Sequence, residues 1–385
     1  MCYTNLKTYH KGKYMLTNKK IMVIATTDNM IWQFLIPHIQ HLQRLGNTVE
    51  CVCAKTGFWF DELQTKYGFI VNEINFARNP IKPQNIKGFK QLVNLQKQKN
   101  FDVIYCQQPV GGVMGRKLAK KFHLPCIYTA HGFHFYKGCP LINKLVYKPI
   151  EKHYAKCTTA LITINNEDYA AAKDFKAKSV YKINGIGVDL TKYSSPENFN
   201  RAEFRKSLGF DENDFFVLSI GELNKNKNTY RLLEVFKDIE NKGVKYLVCG
   251  QGPLMDKYNQ YIDENHLNGR VKMLGFRKDI PEILAASDAF IMPSLREGLP
   301  KSMMEAMSAG LPLLGSKIRG ITDLIDDKGG LLFNPTQNQE IKAAIEKLAD
   351  NKGLCKKYGD RNREYVKNFS IDVVIQQLEE IYKGF

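Results

Sequence analysis

The 385 residues, 44% of them hydrophobic and 11% aromatic, suffice for two domains of ordinary size with ample core. No apolar run approaches the roughly 18 residues of a membrane span, and the polar, lysine-rich start is unlike a signal peptide. The net charge of +17 is uneven: residues 1–190 hold 27 Lys+Arg against 11 Asp+Glu, and residues 191–385 hold 29 against 28. A cationic first half is either a solubilising surface or one that meets an anionic partner, whether lipid leaflet, lipid phosphate or nucleic acid.

Residues 1–19 read as a leader without fixed structure, with Met15 as an alternative start. Strand and helix patterns then alternate. "IMVIATT" (21–27) is an apolar strand, and 31–46 is a helix closed by Gly46. Strands follow at 48–54, 69–76, 102–107, 125–131 and 160–166, with helices at 86–99, 111–123, 141–156 and 167–174. Such alternation predicts a doubly wound parallel sheet. Turn residues crowd 179–200, and the linker proper is placed at 186–200. The pattern restarts with strands at 215–221, 245–250, 271–276, 289–294, 312–316 and 330–334, and a last helical stretch covers 353–382. The expected organisation is therefore a leader (1–19), a first Rossmann-like domain (20–185), a linker (186–200), a second such domain (201–365) and a C-terminal helix (366–385) returning to the first domain. In sheets of this kind ligands bind at the carboxyl ends of the strands, so the site is expected in the cleft between the domains.

The nine cysteines are scattered through apolar runs, with no CxxC pair and no Cys/His cluster at metal spacing. They read as reduced, buried thiols of a cytosolic protein without structural zinc. "GQGP" (250–253) lies between a strand and a helix, as a phosphate-binding turn would, but Met255 occupies the third glycine position of a dinucleotide fingerprint. "GELNKNKN" (221–228) has the same placement, and there Gly221 permits close approach while Lys225 and Lys227 would aim ammoniums at phosphate. Each of these motifs is equally compatible with an ordinary turn. No Asp-x-Asp pair is present, so a diphosphate would be met by Lys, Arg and backbone N–H groups.

"REGLPKSMMEAMSAGLP" (296–312) sets Glu297 in a turn and Glu305 among methionines. Pro300 suits the first turn of the helix, and Gly310 with Pro312 ends it. An unpaired buried carboxylate costs several kcal/mol, so Glu305 needs partners. A Lys301 contact four residues back contributes only ~0.2–0.5 kcal/mol, and a pair of sugar hydroxyls would satisfy it better.

This stretch resembles the glutamate-x7-glutamate signature of family 4 glycosyltransferases, retaining enzymes of the GT-B fold. "GELNKNKN", "LVCGQGPL", "MLGFRKDIPEILAASDAFIMPS" and "GIGVD" agree with it. "QQPVGGVMGRKLAKK" and "YTAHGFHF" look like members that build capsular polysaccharide, exopolysaccharide or O-antigen on a lipid carrier. The resemblance implies catalytic roles for His131, Glu297 and Lys227. It implies a donor site of Glu305 on the ribose, Glu297 on the sugar, and Gly298 and Leu299 amides on the diphosphate. Gly221, Lys225 and Gly250 would line the phosphates, and Gly275, Phe276 and Arg277 the base. The family usually has an arginine where this chain has Glu222; Lys225 or Arg319 would then replace it.

The resemblance further implies a UDP-sugar donor, no cofactor and no metal. The acceptor would be a saccharide on a polyprenyl diphosphate, approached by a peripheral protein on the inner face of the cell membrane. Arg116, Lys117, Lys120 and Lys121, together with Lys144, Lys148, Lys152 and Lys156, form a basic amphipathic surface suited to an anionic leaflet. A sugar-nucleotide epimerase or phosphorylase on the same fold is the enzymatic alternative. A basic nucleic-acid-binding protein is the alternative from another class, but no aromatic-basic binding signature supports it.

Overall fold

The computed structural model describes residues 16–385 apart from Phe58 and Ser195. Two all-parallel sheets account for the core. The first contains β1 (Lys20–Thr27), β2 (Thr48–Ala54), β3 (Ile70–Glu73), β4 (Val103–Gln107), β5 (Cys126–Ala130), β6 (Ala160–Thr163) and β7 (Ser179–Lys182), in the order β3-β2-β1-β4-β5-β6-β7. The second contains β8 (Phe215–Ile220), β9 (Val244–Cys249), β10 (Val271–Gly275), β11 (Ala289–Met292), β12 (Leu313–Ser316) and β13 (Gly330–Phe333), in the order β10-β9-β8-β11-β12-β13. Helices cover both faces, so strands such as Val103–Gln107 and Ala289–Met292 are buried throughout. The strand order reverses between β1 and β4 and again between β8 and β11, which is where such sheets open a crevice for ligands.

The sequence reading needs four adjustments. The helix expected at 31–46 is three pieces: Asp28–Met30, a π-helical turn Ile31–Leu35, and Ile36–Arg44. The polar stretch 179–200 begins with β7, an edge strand paired to β6. The final helical stretch breaks where Ser370 Oγ accepts the Val373 N–H, giving helices Lys352–Tyr365 and Ile371–Tyr382 with a 3-10 turn between them. Residues 1–15 lie outside the described part, but Leu16–Lys19, expected to belong to the leader, are built into the fold. Leu16 is 1% exposed and its N–H donates to Tyr382 O (3.1 Å).

As expected, the C-terminal helix packs back onto the first domain: Gln377 Oε1 accepts the Asn184 N–H (2.8 Å) and Glu379 faces His41 (3.2 Å). Gly187 makes the crossing possible, since it has φ +84° and any Cβ would press on the backbone of Ile371 at 2.8 Å. The described cysteines are free thiols, most of them buried, and burial pushes Cys51 up to about 12.

Candidate active site

Three strand ends bring the chemistry together. After β8 the chain turns through Gly221, and the Lys227 stem lies across it; a Cβ on Gly221 would come within 3.0 Å of Lys227 Cε. Asn224 Oδ1 accepts the Lys227 N–H (3.0 Å). Asn226 Nδ2 donates to Arg296 O (2.9 Å), and Asn228, at φ +56°, donates to Pro293 O (3.1 Å) and Pro335 O (3.0 Å). These asparagines fasten the β8 loop to the β11 loop. They leave Lys227 Nζ 2.7 Å from Glu297 Oε1, with the two side chains 24% and 12% exposed. The sequence placed both residues at the site, and the structure pairs them.

His131 follows β5 on the opposite wall. A Cβ on Gly298 would collide with the His131 carbonyl oxygen, so the domains touch backbone to backbone beside Glu297. The His131 ring nitrogen Nε2 lies 2.7 Å from Gln107 Oε1. Burial, reinforced by nearby His38, lowers the His131 pKa to about 3. The imidazole is therefore neutral at physiological pH and acts through hydrogen bonds. Gln107 opens the stretch "QQPVGGVMGRKLAKK" at the end of β4, but nothing in that stretch singled it out as a site residue.

Arg319 corrects an expectation. It does not stand as a free cation for the phosphates. Its Nη1 is ion-paired with Asp168, its Nη2 donates to Phe133 O, and its Nε donates to Glu297 O (3.2 Å). Asp168 also accepts from Phe133 N (3.0 Å) and Asn165 Nδ2 (2.8 Å). Arg319 is thus a buried bolt between the domains, holding the loop after His131 and the Glu297 carbonyl. Asp168 lies outside every motif singled out above, so no local pattern marks it.

Glu305 is 8% exposed, and the Lys301 ammonium stands 3.8 Å away, at ion-pair and not hydrogen-bond distance, as the contact four residues back would have it. Tyr193, from the linker, is its other neighbour: burial and then the Glu305 charge raise the Tyr193 pKa. Lys301 also donates to Gln33 O (2.9 Å), tying this helix to the π-helical turn of the first domain.

Of the other expected donor contacts, Lys225 is exposed, as is Glu222 in the place of the family's arginine, and Leu299 is buried against Gly185. The glycines of "GQGP" are explained by packing: Cβ atoms on Gly250 and Gly252 would collide with the Gly221 carbonyl and stand 2.5 Å from Leu223 O. This corrects the phosphate-turn reading. Gly275 has φ +67°, Phe276 is 47% exposed, and Arg277 pairs with Asp279 (2.7 Å). A cavity of about 530 Å³ lined by Leu208, Phe210, Asn268 and Lys272 contains none of the expected donor residues.

The expected membrane side is also redrawn. Arg116 is fully buried: its Nη1 meets Glu151 Oε2 at 2.7 Å and its guanidinium lies 3.9 Å from the Tyr128 ring. The face carrying Gly112, Gly115 and Arg116 packs on the sheet, where a Cβ on Gly115 would stand 2.5 Å from the Cys106 Cβ. Lys117, Lys120 and Lys121 are exposed. A cluster of exposed apolar residues lies on the other expected helix, Leu141–Ala155, with Leu141 69%, Ile142 61% and Leu145 64% exposed among exposed Lys144, Lys148 and Lys152. Among the described residues, no helix is long and apolar enough to cross a membrane, and no three His, Cys, Asp or Glu gather as metal ligands.

Comparison with known proteins agrees with this geometry. The family model "Glycosyl transferases group 1" matches residues 200–365, and "Glycosyl transferase 4-like" matches residues 20–166. The putative glycosyltransferase EpsD of Bacillus subtilis is 31% identical over 95% of this chain and 97% of its own. The Escherichia coli UDP-Gal:alpha-D-GlcNAc-diphosphoundecaprenol alpha-1,3-galactosyltransferase is 33% identical over 89% of this chain and 92% of its own. Anabaena Alr3699/HepE, solved in complex with UDP-glucose, superposes with a TM-score of 0.79 at 19% identity, covering 95% of this chain and all of that one. With two Rossmann-like domains of GT-B type and relatives of this kind along nearly its whole length, the chain belongs to the family 4 glycosyltransferases of polysaccharide biosynthesis.

Proposed function

We propose that this glycosyltransferase moves a hexose or N-acetylhexosamine from a UDP-sugar to a saccharide on a polyprenyl diphosphate, with retention of anomeric configuration. The observation that carries the reading is the Lys227–Glu297 pair at the strand switch of the second domain, next to Gly298, which touches the His131 backbone across the cleft. UDP-glucose in the Anabaena neighbour and the lipid-linked acceptor in the E. coli relative's name support donor and acceptor class.

In this mechanism the acceptor hydroxyl oxygen bonds to the anomeric carbon on the face from which the diphosphate leaves. The carbon–oxygen bond to the phosphate breaks, and the hydroxyl proton passes to a departing phosphate oxygen. No side-chain nucleophile is required; the protein supplies position and electrostatics. Lys227 stabilises charge on the leaving diphosphate, Glu297 contacts donor hydroxyls, and His131 orients sugar or acceptor as a hydrogen-bonding group. The diphosphate is met by lysine and amides, without a metal. Glu305 remains the residue proposed for the ribose.

The membrane side is the helix Leu141–Ala155, whose exposed leucines and lysines suit the anionic inner face of the cell membrane. It adjoins the cleft: Asn143 Nδ2 donates to His134 O (3.0 Å), three residues beyond His131. A donor screen tests the reading. UDP release is measured over a panel of nucleotide sugars, with and without lipid-linked acceptor, and the anomeric configuration of the product is read by NMR. One UDP-sugar should give acceptor-dependent release and a retained linkage. An inverted linkage, or preference for a GDP- or ADP-sugar, would refute it; turnover independent of saccharide acceptor would indicate the epimerase or phosphorylase alternative.

A further inference from the structure

The only two tryptophans of the chain meet at the cleft. Trp32 belongs to the π-helical turn after β1, and Trp59 opens the helix Trp59–Thr65 after β2; their ring centroids are 4.0 Å apart. Trp59 reaches across to the second domain, where Phe276, just after β10, meets it edge-on at 6.0 Å and 67°. Three large rings from two domains therefore gather just past strand ends, with Trp32 at the edge of the core and Phe276 outermost. Phe276 is still 47% exposed despite the contact, and the Trp32 indole N–H is buried with no acceptor among the described residues. π-helical turns recur at functional positions. This one is held in place from the second domain by Lys301 donating to Gln33 O. Nothing in the Lys227–Glu297 chemistry uses these rings.

We propose that Trp59, braced by Trp32, and Phe276 form an aromatic clasp for the nucleobase of the donor, so that the first domain carries one wall of the base site. The inference rests on the nucleotide-sugar reading above. Gly275 to Arg277 is the segment where that reading sets the base, and Trp59 is the first-domain ring in contact with it. A heterocycle entering there would stack on Phe276 and be covered by Trp59 as the domains close, with a base carbonyl as the acceptor for the Trp32 N–H. Donor binding and domain closure are then one event.

Both fluorophores lie in the clasp, so intrinsic fluorescence reports it directly. The full chain is titrated with UDP, UMP and pyrophosphate. UDP and UMP should shift tryptophan emission saturably, whereas pyrophosphate, lacking a base, should bind without that shift. Trp59→Leu and Phe276→Ala should each weaken UDP about 5- to 100-fold, the range expected for a lost base–aromatic stack. Both should leave pyrophosphate affinity unchanged, which also shows that the variants are folded. Trp59→Phe, which keeps a ring, should retain most of the affinity. If the parent binds UDP and Trp59→Leu binds it equally well, the clasp is overturned and the donor reading stands. If the parent binds no nucleoside diphosphate at all, the donor reading fails and the clasp fails with it.

Discussion

Replacing Lys227 by Met removes an ammonium held 2.7 Å from Glu297 Oε1, and two consequences can be separated. The first is structural. A charge-assisted hydrogen bond contributes ~1.5–3 kcal/mol when well shielded, but Lys227 is 24% exposed and solvent screens the pair, so ~1 kcal/mol is the expected loss. The second is catalytic. If Lys227 meets negative charge that develops on the departing diphosphate, its removal should lower kcat by about 10²- to 10³-fold, as for other preorganised donors. The assay is steady-state UDP release at saturating donor, alongside urea unfolding, for Lys227→Met, Glu297→Gln and the double variant. A purely structural pair predicts that the double variant recovers stability and rate together. The proposed chemistry predicts recovered stability with kcat still down. A Lys227→Met enzyme with kcat within about threefold of the parent would refute the reasoning.

Arg319→Ala should destabilise by ~3–5 kcal/mol because it strands the buried Asp168 carboxylate, and Asp168→Asn, which keeps the shape but sets an NH2 against one of the donors to Asp168 and leaves the guanidinium without its counter-charge, should also destabilise; urea unfolding decides, and an Arg319→Ala protein as stable as the parent would remove the bolt. Leu141→Glu combined with Leu145→Glu should abolish co-sedimentation with anionic vesicles while leaving UDP binding intact, and equal binding of the parent to neutral and anionic vesicles would overturn the membrane assignment. His38 and His131 are held by burial at about 4 and about 3, below the ~6.5 of an unfolded chain. The unfolded state therefore takes up protons first, so their contribution is complete above about pH 7 and is lost as pH falls from 6.5 towards 4, by roughly 1 kcal/mol per imidazole at pH 6. Urea midpoints measured at pH 7.5 and 6 check this, and His38→Asn should flatten the dependence.

What the sequence revealed, and what it hid, follows from range. Strands such as Ile21–Ala25 and Phe290–Met292 announce themselves because a parallel sheet covered on both faces needs unbroken apolar runs. Lys227 and Glu297 stand in turns beside strand ends, but it is the resemblance to family 4 glycosyltransferases that marks them, since such turns alone are equally compatible with ordinary loops. Arg116 was misread because charge alone does not say which face of a helix meets the sheet; the glycines at 112 and 115, which admit close packing, were the better guide. Tyr193, a neighbour of Glu305, comes from the linker, and no local pattern joins the two. Asp168 with Arg319, and Trp59 with Phe276, are pairs formed across the cleft, and no local pattern encodes either. Ser370 was the visible signal that the last helix breaks: it is a capping residue, and its side chain does cap.

The double crossing between the domains governs how the cleft can open. Val188 donates to Phe369 O (2.9 Å) and accepts from Ile371 N (3.1 Å), so the outgoing and returning segments are bonded side by side like a short parallel ladder. One crossing strand alone would permit the domains to swivel about its own axis. Two strands laced together resist torsion yet still bend across their common plane. The paired crossing therefore constrains a swivel that would carry Trp59 out of register with Phe276, and leaves bending across its plane as the freer relative motion of the two domains.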